Sequence, residues 1–138
     1  MPIRQIAALP YRIDSKAKGD VSILLVTSRD TGRWVLPKGN LMFGLAPHRA
    51  AAREAEEEAG VRGRIARKPL GRFPYRKWRS AKRFDMAKVD VFALKVTKEL
   101  DKWKEQGQRE RRWCTRDEAA GLVDEPELSA LIRSAKLP

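Results

Sequence analysis

Residues 33–63 read RWVLPKGNLMFGLAPHRAAAREAEEEAGVRG, and this stretch decides the fold. Pro47 suits the first position of a helix, where a missing N–H costs nothing, and Gly60 suits the position just past its end, so the reading predicts a helix over 47–59. Inside it Glu54, Glu57 and Glu58 stand at i, i+3 and i+4. With about 3.6 residues per turn these side chains share one face. Three carboxylates that close repel one another until a hard divalent cation sits among them. Mg²⁺ and Mn²⁺ prefer such oxygen ligands and bridge them to substrate phosphates. The opposite face carries Ala51, Ala55 and Ala59, small enough to let the helix lie close on a sheet and fix the carboxylates. Taken alone, EAEEE would more often be a solvated helix face; its fixed place behind a glycine turn sets it apart.

Outward from this stretch, residues 3–9 and the apolar run 21–27 (VSILLVT) read as strands, with a polar turn at 14–20 between them. A second turn at 29–32 leads to a short strand at 34–36, which Pro37 ends. Further strands are expected at 64–71, 87–97 and 111–114. Thr115 with Glu118, and Asp124 with Glu127, form capping-box patterns ahead of helices at 119–123 and 128–135. This order implies an α/β fold with a mixed sheet covered on both faces. A chain of 138 residues without repeat, linker or low-complexity segment reads as a single domain over 1–138.

Thirty Lys and Arg against eighteen Asp and Glu give a formal net charge of +12. Such a surface attracts anionic ligands, most strongly at low salt. Carboxylates loaded with metal and ringed by cations point to a phosphate-rich small molecule, with nucleic acid as the lesser alternative. Residues 62–83 hold ten Lys or Arg and no acid, with Phe73, Tyr75 and Trp78 interleaved; the run suits either an RNA backbone or a compact polyphosphate. The single cysteine, Cys114, excludes an intrachain disulfide and reads as a packing residue. His48, in the first helical turn, reads as a surface residue. No apolar run approaches a signal peptide or a membrane span, so a cytoplasmic protein with no membrane partner is expected.

The stretch resembles the Nudix box, G-x5-E-x7-R-E-U-x-E-E-x-G-U with U apolar: Gly39 opens it, Arg53 to Glu58 fill its centre and Gly60-Val61 close it. Leu45 stands where the pattern has its first Glu and can neither bind a cation nor orient water. The resemblance implies the Nudix α/β/α sandwich and a pyrophosphohydrolase using Mg²⁺ or Mn²⁺. It implies metal ligation by Glu54, Glu57, Glu58 and the Gly39 carbonyl, and an Arg53 that orients a neighbouring carboxylate. Outside the box, residues 33–39, 99–103 and 109–113 leading into 117–119 resemble the branch of diphosphoinositol-polyphosphate and diadenosine-polyphosphate hydrolases. Lys38 and Arg4, beside the metal turn, are candidate phosphate contacts, as are Arg76, Lys77, Arg79, Lys82 and Arg83 of the basic stretch. Trp34, Trp103 and Trp113 read as packing residues. The proton acceptor stays open between the glutamates and a loop residue, and so does the oligomeric state. The alternative function is a catalytically weakened Nudix module, its box altered at Leu45, that binds RNA or a polyphosphate without turnover.

Overall fold

The computed structural model describes residues 2–13 and 21–137, so the turn expected at 14–20 lies outside the described residues. In chain order the elements are β1 (Ile3–Ile13), β2 (Val21–Thr27), β3 (Trp34–Val35), β4 (Lys38–Asn40), α1 (Pro47–Ala59), β5 (Val61–Ile65), β6 (Gly71–Ser80), β7 (Arg83–Glu99), β8 (Arg111–Thr115), α2 (Arg116–Leu122) and α3 (Pro126–Ser134). Strand β1 is the hinge of the sheet. It runs parallel to β7 from Ile3↔Ala87 to Tyr11↔Lys95. Along its other edge it pairs antiparallel with β4 near Gln5↔Asn40 and with β2 near Tyr11↔Ile23. Strand β2 carries β3 and β8 outward, and β7 pairs with both β5 and β6.

Alternation along β1 divides the interior into two cores, because successive side chains of a strand point to opposite faces. Ile6 and Ala8 join Leu24, Val26 and Leu94 beneath the alanine face of α1. Ala7, Leu9 and Tyr11 join Ile23, Val91, Leu128 and Ile132 beneath α2 and α3. Each Leu or Ile so buried contributes about 1.5–3 kcal/mol relative to exposure. The result is the expected α/β/α sandwich with a mixed sheet.

Helix α1 spans the residues its sequence signals imply. Gly60 adopts φ +68° as its left-handed C-cap, with the Trp103 ring lying where a Cβ would go. Elsewhere the structure differs. The strand expected at 64–71 is the end of one strand and the start of another. Residues 66–70 bow out between β5 and β6, tied to β7 only through Ala66 N to Ala93 O and Leu70 N to Val91 O at 2.9 and 2.7 Å. Strands β1 and β7 run longer than expected, and three-residue β4 carries too short a pattern to be visible. The Thr115–Glu118 capping box forms, with both reciprocal hydrogen bonds at 2.9 and 3.1 Å. The Asp124–Glu127 box does not: Pro126 takes the first helical position, so the cap falls on Glu125 without a side-chain bond. Asp124 accepts from Arg33 instead, at 2.9 Å.

Candidate functional site

The docking of α1 presses its glutamates against β4, and Gly39 is where the two elements meet. A Cβ built on Gly39 would lie 2.5 Å from the Glu54 carboxyl carbon, so any larger residue would push that carboxylate out of its place. One turn further along the helix Glu58 is buried, 6% exposed. It accepts from the Lys38 backbone N–H at 3.4 Å and faces Arg109 at 3.8 Å. Burial, and after it the adjoining Glu54 carboxyl, push the Glu58 acid up to about 9, against the pull of Arg109. Glu54 and Glu58 thus stand one turn apart as interacting neighbours on one face of α1. Glu57 lies toward Lys104, 3.7 Å away.

All three glutamates line one wall of a cleft of about 1310 Å³. Among the described residues no three acidic, imidazole or thiol side chains are gathered closely enough to hold a metal ion as they stand. The donor chemistry nevertheless suits a hard divalent cation: the carboxylates of Glu54, Glu57 and Glu58 line one cleft beside the Gly39 backbone.

Supporting groups come from distant parts of the chain. Arg109 is nearly buried; it donates to Glu105 and to the Thr27 carbonyl, each at 3.0 Å, and so stands fixed beside Glu58. Across the cleft, Tyr75 donates to Gln5 at 2.6 Å and Gln5 donates to Asn40 at 2.9 Å, a chain linking β6, β1 and β4. The Lys38 ammonium sits 4.9 Å over the Tyr75 ring, and burial lowers its pKa. Arg33 bridges Asp124 and Glu125 at 2.9 and 3.0 Å, closing the side nearest α3. The far wall is the β6–β7 hairpin, which contributes Arg76, Lys77, Trp78 and Met86.

The sequence-derived candidates divide accordingly. Gly39, Lys38, Glu54, Glu57, Glu58, Arg76 and Lys77 come together around the cleft. Arg4 does not: its neighbour Gln5 faces the cleft, so strand alternation turns Arg4 away, onto Asp90 at 3.1 Å. Arg53 is exposed beside a recess with Glu56 and Arg62, away from the cleft, and among the described residues makes no hydrogen bond or ion pair. Arg79 pairs with Asp85 at 2.8 Å across the hairpin, and Lys82 and Arg83 are exposed at its tip. Half-buried Leu45 packs against the core beneath α1, and Cys114 is buried, both as expected of packing residues. Trp34 and Trp113 pack against the two cores, while Trp103 lies under Gly60 with the Arg111 guanidinium 4.2 Å over its ring. Sequence reasoning missed the roles of Arg109, Glu105, Gln5, Tyr75 and Asn40. Arg109 carried a signal as the first residue of the 109–113 piece, and Tyr75 as an aromatic interleaved in the basic stretch; the other three carried none.

A three-layer sandwich with a glycine strand set against a glutamate helix at the mouth of a polar cleft defines a class of α/β domains. Comparison with known proteins gives that class its family. The NUDIX domain model matches residues 3–133, and the chain belongs to the Nudix family. It is 41% identical over 105 residues to Nudix hydrolase 12, mitochondrial, of Arabidopsis thaliana, covering 74% of this chain and 52% of that protein. The chain thus spans about half the length of that relative. With diphosphoinositol polyphosphate phosphohydrolase 3-alpha of Mus musculus it shares 32% identity over 122 residues, 87% of this chain and 68% of that protein. Among solved structures, a C. elegans Ap4A hydrolase binary complex superposes with TM-score 0.65 at 21% identity, covering 95% of this chain and 93% of that one. A NUDIX hydrolase from Nitrosomonas europaea superposes with TM-score 0.71 at 21% identity, covering 100% and 93%. At that identity the superpositions speak for the fold. Several relatives are named as mitochondrial, so they do not carry the expectation of a cytoplasmic protein. Among the described residues no helix is long and apolar enough to cross a membrane.

Proposed function

We propose that this cleft hydrolyses a phosphoanhydride bond in a nucleoside- or inositol-diphosphate-linked polyphosphate, with Mg²⁺ or Mn²⁺ held by Glu54, Glu57, Glu58 and the Gly39 carbonyl. The observation that carries the reading is the glutamate wall: the Glu54 carboxyl lies where a Cβ on Gly39 would go, and Glu58 is buried one turn further along α1. A bound divalent cation neutralises phosphate oxygens and lowers the pKa of an attacking water. The chain's own residues position the rest. Arg109 holds Glu58 in place, Lys38 offers a cation on the floor beside Tyr75, and Arg76 and Lys77 reach flanking phosphates from the hairpin. The proton released by water would pass to one of the three glutamates or to a loop residue. The relatives named for diphosphoinositol polyphosphates and for Ap4A support this substrate range.

The test is a screen of diadenosine polyphosphates, diphosphoinositol phosphates, nucleoside triphosphates, sugar nucleotides and capped RNA with Mg²⁺ and Mn²⁺, following phosphate-containing products. Release that stops on chelation and resumes on adding metal is expected. Ligand binding without release would instead favour the non-hydrolytic module.

A further inference from the structure

Strand alternation gives the β6–β7 ribbon two unlike faces. Register sets Arg72 opposite Asp90, Arg76 opposite Met86 and Trp78 opposite Phe84, and places Lys88 beside Arg4 of β1. Directly opposed residues in a sheet share a face, and so do residues two apart along a strand. All of these side chains therefore stand on the face that carries α1. Phe73, Tyr75 and Val89 stand on the other, against the core beneath α2 and α3. Helix α1 covers its own face at Ile6, Phe92 and Leu94. From Asp90 back toward the hairpin tip that face lies open: Trp78 is 56% exposed, Phe84 40% and Met86 44%.

The open area is aromatic and basic together. The Trp78 and Phe84 ring centroids lie 4.9 Å apart, tilted by 58°, and the Arg76 guanidinium sits 4.9 Å over the Phe84 ring. Four cations, Arg4, Arg72, Arg76 and Lys88, share the face with one carboxylate, Asp90. Asp90 accepts from Arg4 at 3.1 Å and from Arg72 at 2.6 Å. Both of those arginine side chains remain more than half exposed, so their outer N–H groups are open to an anion. Arg76 and Lys88 make no ion pair among the described residues. Arg76, Trp78 and Met86 also reach the rim of the cleft, whereas Arg4, Arg72, Phe84 and Lys88 do not line it.

The chemistry of the face selects its occupant. A second copy of a chain with net charge +12 would set like charges against one another. Insertion into a lipid surface needs apolar groups at the leading edge, and the hairpin tip carries Arg79, Lys82 and Arg83 instead. Aromatic rings laid along the flat of a ribbon, between cations, match unpaired bases and the phosphates that join them. A duplex keeps those bases stacked inside.

We infer that the α1-side face of the β6–β7 ribbon binds single-stranded nucleic acid, with Phe84 and Trp78 stacking on bases and Arg4, Arg72 and Lys88 on phosphates. It is a second site, apart from the glutamate wall, and it stands whether or not the cleft is a hydrolase.

The experiment titrates the intact protein into a fluorescein-labelled single-stranded RNA of about a dozen nucleotides, with chelator present, and follows anisotropy across a salt series. Wild type is compared with Phe84→Ala, Phe84→Tyr and Lys88→Ala, none of them in the cleft. Phe84→Ala should weaken binding roughly tenfold, and Tyr should restore most of it. Lys88→Ala should make the slope of log K against log salt shallower by roughly 0.7, a readout that holds even if truncating Phe84 disturbs the ribbon. The same sequence as a duplex should bind more weakly. Absence of RNA binding by wild type, equal affinity for strand and duplex, or wild-type affinity and salt slope in Phe84→Ala and Lys88→Ala would overturn the site. So would phosphatidylserine-containing vesicles or polyglutamate bound as tightly as the RNA with the same dependence on Phe84, which would assign the face to a membrane or to an acidic protein.

Discussion

The two walls of the cleft are built on opposite physical plans. The glutamate wall is interior structure: α1 lies on the sheet through alanines, Glu54 fills the space Gly39 leaves, and Glu58 and Arg109 are both nearly buried. The hairpin wall is a two-stranded ribbon whose side chains largely face solvent, held by cross-strand pairs such as Arg79–Asp85. Chemistry that needs carboxylates held to a fraction of an ångström belongs on the first. Selection among substrates, which tolerates change without loss of the fold, belongs on the second.

Substitutions on the two walls should therefore differ in kind, and the sharpest contrast comes from Arg109→Ala. Removing this guanidinium takes the ion-pair partner from buried Glu58 and leaves Glu105 only Arg29, and breaking a buried pair typically costs about 3–5 kcal/mol. We expect a loss near the lower figure in chemical denaturation. A loss below about 1 kcal/mol would mean that the wall is wetter and looser than the structure shows. Gly39→Ala should act on the site more than on the fold, since the nearest atoms the new methyl group would meet are those of the Glu54 carboxyl. Displacing a group that orients metal ligands typically costs roughly 10–100-fold, and kcat should fall by that much while the melting temperature shifts little. An unchanged kcat would remove Glu54 from the account.

Smaller effects mark the border between wall and core. Leu45→Ala trims a half-buried side chain at the start of α1, so it should cost about 1–2 kcal/mol, below the full Leu→Ala range, and leave the pH profile of turnover in place. A shifted profile with unchanged stability would contradict a packing role for this residue. On the hairpin, Arg79→Ala breaks a surface pair worth about 0.2–1 kcal/mol at most, and that small loss should vanish in high salt.

The same division governs what the sequence revealed. Helix α1 and its carboxylates rest on local signals, Pro47, Gly60 and an i, i+3, i+4 spacing, so both were legible from 33–63. The supporting cast was not, because strand register assembles it: Gln5, Asn40 and Tyr75 meet only once β4, β1, β7 and β6 lie side by side. Charge misled for a related reason. Residues 62–83 contain no acid, yet Asp85 and Asp90 on the partner strand neutralise three arginines, Arg4 among them. The two capping-box patterns show how one residue decides such a signal, since Pro126 moved the second helix start past the register its box required.

The most direct test is metal-dependent phosphate release by Glu58→Gln, measured beside wild type on diadenosine tetraphosphate at saturating Mg²⁺ and Mn²⁺, with circular dichroism as the check on folding. Glutamine preserves the side chain's shape and its hydrogen bond to the Lys38 backbone while removing the carboxylate. The account predicts a folded variant whose turnover falls by roughly a hundredfold or more, since even outer-shell partners of a metal are worth 10–100-fold. A folded Glu58→Gln protein that releases phosphate at the wild-type rate would contradict it, and the glutamate wall would lose its claim to the chemistry.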